Sequence, residues 1–360
     1  MRPARRPDAA ARPAHWHTAA RPPRWAVRVS LILGLAIVLS APGEALALFS
    51  ATPAPPTAAV TAATIAAPTG FTATAASTTT ATLSWTAPAK LTGYTLSQST
   101  GTLAGCSAAP SSTTTSCTAT GLSAGTAYTW TLTTAYNSWL SSSVTASATT
   151  YAVVSATLLA NATDTVSGSS SSSVPSVTTT SGADLLILIY RQGSSASLGV
   201  SSVSGTAVSG TPALVNSEAF GSPARDEVWA YRATGSGTSG GTVTVAFAAG
   251  NNVTTTIDVV QLSGDKNGSP VAQSGVTSGS GTTATGASLT GASSSDGEIF
   301  FAGLATSATM STPSGYSALD APGSALHGSW FDSSASSTAI ATTLGTSTAY
   351  GTIAIEINHG

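Results

Sequence analysis

Past residue 67 the chain repeatedly alternates large apolar residues with small polar ones. Leu83 and Trp85 are interleaved with Thr82, Ser84 and Thr86, Tyr94 and Leu96 flank Thr95, and Tyr128, Trp130 and Leu132 alternate with threonines. Successive side chains of a strand point to opposite faces, so this period of two predicts half-buried antiparallel strands. Further strands are predicted at Val153-Leu159, Leu185-Tyr190, Glu227-Arg232, Thr242-Phe247, Thr255-Leu262, Glu298-Leu304, Leu326-Phe331, Ala339-Thr343 and Thr352-Ile357. Gly- and Ser-rich turns separate them, including 235–241 and 265–268. Many short strands and no helical period give an all-β chain.

The first 47 residues follow another rule. Seven arginines precede the apolar run Val29-Ala41, which ends near Ala45-Leu46-Ala47. A spanning helix needs about 20 apolar residues, so this shorter run with a small-x-small site reads as an export signal cleaved after Ala47. The alternative is an uncleaved anchor with its basic end in the cytoplasm. Cleavage leaves no stable membrane span and places the mature chain outside the cell, as a secreted or cell-surface-associated protein. Residues 48–66 combine Pro, Ala and Thr without periodicity and read as a tether.

The anchors between 67 and 150 resemble a fibronectin type III domain. Pro68 stands at its start, Trp85 and Tyr94 on its second and third strands, and Gly121-Leu122-Ser123-Ala124-Gly125-Thr126-Ala127-Tyr128 is similar to the family's tyrosine corner. The resemblance implies a sandwich in which the Tyr128 hydroxyl returns to upstream backbone. Thr134 stands where the family has a small Ala, and Cys106 and Cys117 lie outside its general pattern. In an oxidising compartment these two are expected to pair as a disulfide staple.

Residues 151–360 form a second unit with weak internal repetition. Ser181-Ile187 parallels Ser295-Phe301, Val228-Trp229-Ala230 parallels Ser329-Trp330-Phe331, and Ile257-Val260 parallels Ile353-Glu356. One half cannot bury its apolar face alone, so a duplicated β-sandwich is expected. The run of motifs is similar to a jelly-roll module of secreted bacterial proteins, a resemblance that carries architecture and no assured activity.

Charge narrows the partners. Residues 48–360 hold five basic and twelve acidic side chains, a net charge of −7. That surface has no footprint for phosphate backbones, which excludes nucleic acid. Polysaccharide or cell-surface proteins remain as partners.

Chemistry is sparse. His327 and His359 are the only histidines after the signal, and no Gly-x-Ser-x-Gly elbow is expected to supply the serine that would join either in a triad. His327 reads as a satisfied or solvated strand histidine. Asp226, Glu227, Asp258, Glu298 and Glu356 are the carboxylates a glycosidase pair would draw on, but Asp226 and Glu227 point to opposite faces. Asp184 and Glu298, each just before a buried strand, suit turn structure. Asp265-Lys266-Asn267-Gly268 offers calcium-type oxygens, too few for six to eight ligands. No catalytic residue, metal ligand or cofactor is therefore assigned. Tyr231, Phe331 and Trp139 are the expected ligand-stacking rings, Trp139 with strand-end packing as its favoured alternative, and Trp229 and Trp330 are expected as equivalent core anchors. The resulting expectation is a secreted, non-catalytic binding or spacer protein, the rival being a carbohydrate-binding accessory or glycosidase-associated component of polysaccharide degradation.

Overall fold

The computed structural model describes residues 64–166, 170–193, 199–222, 225–248, 253–320 and 324–360. The expected export signal, its cleavage site and the tether through residue 63 lie outside the described residues. All regular structure among the described residues is strand. No helix there is long and apolar enough to cross a membrane.

Two sheets form the first body. One holds β1 (Thr69–Ala75), β2 (Ala81–Thr86) and β4 (Ser116–Ala119); the other holds β3 (Gly93–Gln98), β5 (Ala127–Tyr136), β6 (Trp139–Leu140) and β7 (Val144–Thr149). The alternation seen in sequence becomes burial: Leu83, Trp85, Tyr94, Leu96, Trp130 and Leu132 fill the space between the sheets. Trp85 meets Tyr94 edge-on at 5.5 Å, the arrangement ring quadrupoles favour. The tyrosine corner closes as expected, the Ser123 N–H donating to the Tyr128 hydroxyl at 2.9 Å. Cys106 and Cys117 form a disulfide, with Cα atoms 5.5 Å apart. Closing so short a loop contributes about 2–3 kcal/mol in the chain-entropy picture. Thr134, at the position of the family's Ala, is fully buried.

The second body begins with eight strands: β8 (Ser155–Val166), β9 (Ser171–Val177), β10 (Asp184–Arg191), β11 (Val200–Ser204), β12 (Val208–Phe220), β13 (Asp226–Gly235), β14 (Gly241–Phe247) and β15 (Val253–Ser263). They form a five-stranded sheet of order β12-β13-β10-β15-β8 and a three-stranded sheet of order β11-β14-β9. From β8 to β11 consecutive strands alternate between the sheets, which is jelly-roll wiring. The residues that follow supply β16 (Val271–Thr285), β17 (Gly297–Thr309), β18 (Ser317–Ala318), β19 (Ser324–Asp332) and β20 (Ala341–Ile357). Their sheet, β18-β19-β17-β20-β16, matches β12-β13-β10-β15-β8 position by position. Here long strands replace separate ones: β16 and β20 change register between Gly281 and Thr283, and their far segments help enclose a core of Phe300, Leu304, Trp330, Ile340 and Leu344.

The two five-stranded sheets face each other across Leu186, Leu188, Tyr190, Val228, Ile299, Phe301, Ile353 and Ile355. The other face of β10, with Leu185, Ile187 and Ile189, packs into the first roll's own core. Burial on both faces explains why β10 reads as an unbroken apolar run. It also corrects the expected repeat. Leu185 was matched with Ile299, and Ile257 with Ile353, yet Leu185 and Ile257 face the first roll's core while Ile299 and Ile353 face the other sheet. A one-residue slip exchanges faces, and uniformly apolar strands do not register it in sequence. The Trp229–Trp330 match does keep its face.

Ala62–Gly360 makes a single compact unit, and residues 151–154 join its bodies. The Tyr151 hydroxyl donates to the Ala75 carbonyl at 3.0 Å, and its ring lies 3.8 Å from that of His359. Three residues on, Val154 is already in the inter-sheet core.

Candidate functional site

Polar side chains converge at one flank of the layer between the five-stranded sheets. On β15, Ile257 and Val259 point into the first roll, which turns Asp258 toward the facing sheet. On β19, Trp330 points into the second roll, so His327, Ser329 and Phe331 turn back toward Asp258. His327 Nε2 lies 2.9 Å from Asp320 Oδ2 and 3.4 Å from Asp258 Oδ1. The Ser329 hydroxyl donates to Asp258 Oδ2 at 2.8 Å, and Asn161 Nδ2 donates to Asp320 Oδ1 at 3.1 Å. Tyr190 lies nearly parallel to the imidazole at 6.4 Å and 11°, its hydroxyl donating to the Leu304 carbonyl at 2.7 Å. Burial alone would lower the pKa of His327, but the carboxylates of Asp258 and Asp320 outweigh it and push it up to about 9.

Serine, histidine and aspartate have therefore met, but in an order that does not make a nucleophile. A triad needs the histidine between serine and carboxylate to take the hydroxyl proton. Here Asp258 stands in the middle, and the fully buried Ser329 hydroxyl donates its hydrogen bond to it rather than to the histidine. The run Gly237-Thr238-Ser239-Gly240-Gly241 has Gly-x-Ser-x-Gly spacing, which corrects the expectation that the chain lacks this motif. It forms the exposed turn between β13 and β14 with no helix behind it, so the strand-to-helix context is missing.

The other carboxylates serve loops and strand ends. Asp226 accepts the Gly193 N–H at 2.6 Å, while Glu227 accepts from Arg225 Nε at 3.1 Å and Trp229 Nε1 at 3.2 Å. Glu298 stands opposite Glu356 on one side and Asp332 on the other. Glu356 accepts the Ser293 N–H at 2.8 Å and Glu298 the Ser336 N–H at 3.1 Å, and burial pushes Glu298 upward. The row pins two connecting loops.

Residues 265–268, the expected calcium-type turn, close on a carboxyl neighbour instead. The Gly268 N–H donates to Asp184 Oδ2 at 2.7 Å, and Gly268 holds φ +76°, a conformation glycine adopts freely. Burial, followed by the charge of Asp184, pushes Asp265 up to about 6 from an ordinary value near 3.9. The folded chain binds this proton more tightly than the unfolded one. Its stabilisation is full below about pH 4 and is lost as pH rises through about 6. We expect the melting temperature to fall over that window by more in the wild type than in Asp265→Asn, as followed by circular dichroism. Parallel pH curves would refute the assignment.

The expected ligand rings separate. Trp139 is 64% exposed, so the strand-end packing favoured for it is replaced by an outward position. It pairs with Tyr136 across a tight hairpin whose turn residue Asn137 has φ +53°. Leu140 beside it is 61% exposed. Tyr231 is half-buried and stacks on Trp229 at 6.4 Å; Trp229 in turn borders a surface cleft of about 320 Å³ with Ser217, Glu218, Arg225 and Glu227. Phe331 belongs to the inter-sheet core and is only 9% exposed. Its apolar neighbours leave no open face for a ligand, which corrects its place among the stacking rings. Of the expected core pair, Trp330 is fully buried and Trp229 is not. Sequence reasoning missed the meeting of Asp258, Asp320 and His327, which lie 62 and 7 residues apart along the chain. The only signal was a lone Asp inside the apolar run 257–260.

Residues 66–154 match the family model for the fibronectin type III domain. Among solved structures the chain is similar to one described as FN3tt, with 24% identity over 23% of this chain and 91% of that one and a TM-score of 0.21. It is similar to an FN3tt mutant, with 24% identity, 23% and 97% coverage and a TM-score of 0.20. A two-domain fibronectin type III segment of chicken tenascin is 17% identical over 54% of this chain and 91% of that one, with a TM-score of 0.24. No curated protein matches the chain.

Proposed function

We propose that this is a secreted, non-catalytic binding and spacer protein of the bacterial cell surface or extracellular matrix. The fibronectin type III domain is the spacer, and its hairpin end is the contact surface. One observation carries this reading: Tyr136, Trp139 and Leu140 project from that hairpin at 44%, 64% and 61% exposure, while Trp85 and Trp130 of the same domain are buried. Large rings held outward on a rigid sandwich give contact area at low entropic cost, as recognition surfaces do. The Ser–Asp–His order at Ser329 supports the non-catalytic half of the proposal. Retention of the mature chain on cell-wall fractions and insoluble polysaccharides should drop at least tenfold in Trp139→Ala/Leu140→Ala, with the melting temperature unchanged. Retention equal to wild type would remove the hairpin from the proposal.

A carbohydrate-binding role is the second reading, favoured by the Trp229–Tyr231 stack beside the cleft that holds Arg225, Glu218 and Glu227. Flat rings next to paired polar groups suit sugar faces and hydroxyls. Glycan-array binding lost in Tyr231→Ala but kept in the hairpin variant would support this site instead, and release of reducing sugar would overturn the non-catalytic proposal.

A further inference from the structure

We propose that Asp258, Asp320 and His327 form a binding site for a divalent transition-metal ion at the seam between the two jelly rolls. One ligand atom from each lies within 4.8 Å of the others. Three features of the geometry point to a cation rather than to a histidine bridging two acids.

The first is direction. Both carboxylate oxygens are within ion-pair distance of Nε2, at 2.9 and 3.4 Å, yet neither lies where the ring nitrogen could make an aligned hydrogen bond, and Asp258 Oδ1 is likewise without a hydrogen-bond partner. A ring N–H that serves as a donor aims at its acceptor. A ring nitrogen that serves as a ligand aims between the neighbouring oxygens, at the metal.

The second is spacing. Bonds of about 2.0–2.2 Å from Zn²⁺ to nitrogen and oxygen place neighbouring ligands about 3.0 Å apart at right angles and about 3.4 Å apart at tetrahedral angles. The two separations at Nε2 fall on those edges.

The third is the outer support. Asp258 uses Oδ2 for the Ser329 hydroxyl and Asp320 uses Oδ1 for the Asn161 amide, so in each case the other oxygen faces His327. A neutral donor on the far oxygen orients a ligating carboxylate, as outer-shell partners do. Asp258 is fully buried, and the two carboxylates balance the charge of a dication that displaces the proton from Nε2 on binding. One nitrogen with two oxygens selects first-row transition ions such as Zn²⁺ or Mn²⁺ over calcium, which takes oxygen alone. Asp320, whose side chain is the most exposed of the three at 21%, marks the side from which the ion enters. Asp258 and Asn161 come from the first roll and Asp320, His327 and Ser329 from the second, so the ion would clasp the two together.

The mature chain, stripped with EDTA and dialysed against Zn²⁺ and then against metal-free buffer, should retain about one ion per chain by plasma emission spectrometry. Added Zn²⁺ should raise its melting temperature, and Co²⁺ should give the visible absorption of a low-symmetry site. Asp320→Ala, whose side chain is the least buried of the three, is expected to stay folded and to lose at least tenfold in Zn²⁺ affinity by calorimetry. Asn161→Ala should weaken binding by a smaller factor. A folded wild type that retains no ion, or an Asp320→Ala variant that binds as tightly as wild type, would overturn the site.

Discussion

Trp330→Ala should destabilise the second body by about 3–5 kcal/mol, the range for deleting a large ring from a core that cannot collapse around the gap. Trp330 is fully enclosed, stacks on Phe300 at 5.5 Å and 25°, and lies against Gly328, where an added Cβ would stand 2.5 Å from the indole. On that side the bare backbone of Gly328 has no side chain to move into the void. Trp229→Ala, at the matching place in the first roll, should cost no more than about 1–2 kcal/mol, because a partly buried ring that borders a surface cleft leaves a recess rather than a closed cavity. Its removal also leaves the buried Glu227 carboxylate with Arg225 as partner, at 3.1 Å. Denaturant midpoints of the two variants, followed by circular dichroism, read the difference. Equal losses would mean that the two tryptophans are the equivalent anchors the repeat suggests.

Much of the architecture was legible because strands announce themselves locally. The alternation around Trp85, Tyr94 and Trp130 needs only one buried face, and the tyrosine corner is a contiguous motif closed by a single hydrogen bond from Ser123. The doubling of the second body was legible as well, since Trp229 and Trp330 sit on matching strands β13 and β19. Register was not. Leu185-Leu186-Ile187-Leu188 is buried throughout, so the pattern carries no information about which side faces which sheet. The polar centre was less legible still. His327 looks solvated from its neighbours Leu326 and Gly328, and only the pairing of one sheet against the other brings Asp258 to it. Exposure of Trp139 was equally hidden, because a two-residue strand after a tight turn can end against the core or away from it.

The meeting of the two rolls depends on glycines whose importance no periodicity reveals. Gly303 on β17 and Gly351 on β20 are direct partners across the strand pair. A Cβ on Gly303 would stand 2.6 Å from both the Tyr190 ring and Val228, and one on Gly351 would stand 2.3 Å from the Phe220 ring. The bare backbone at these adjacent positions is thus a shallow socket into which the opposite sheet sets two rings. Tyr190 cannot yield, because its hydroxyl is fixed to the Leu304 carbonyl at 2.7 Å and its ring is fully buried. Overpacking a tight core costs about 1–3 kcal/mol per added group. Gly303→Ala should therefore lose stability in that range, and Gly303→Ala/Gly351→Ala should lose more. Tyr190→Leu destabilises on its own by vacating the socket, but combined with Gly303→Ala it should cost less than the sum of the two, a coupling that a double-mutant cycle on denaturant midpoints reads directly. Strict additivity of the two changes would show that the ring does not rest on the glycine and that the seam is held elsewhere along β17 and β20.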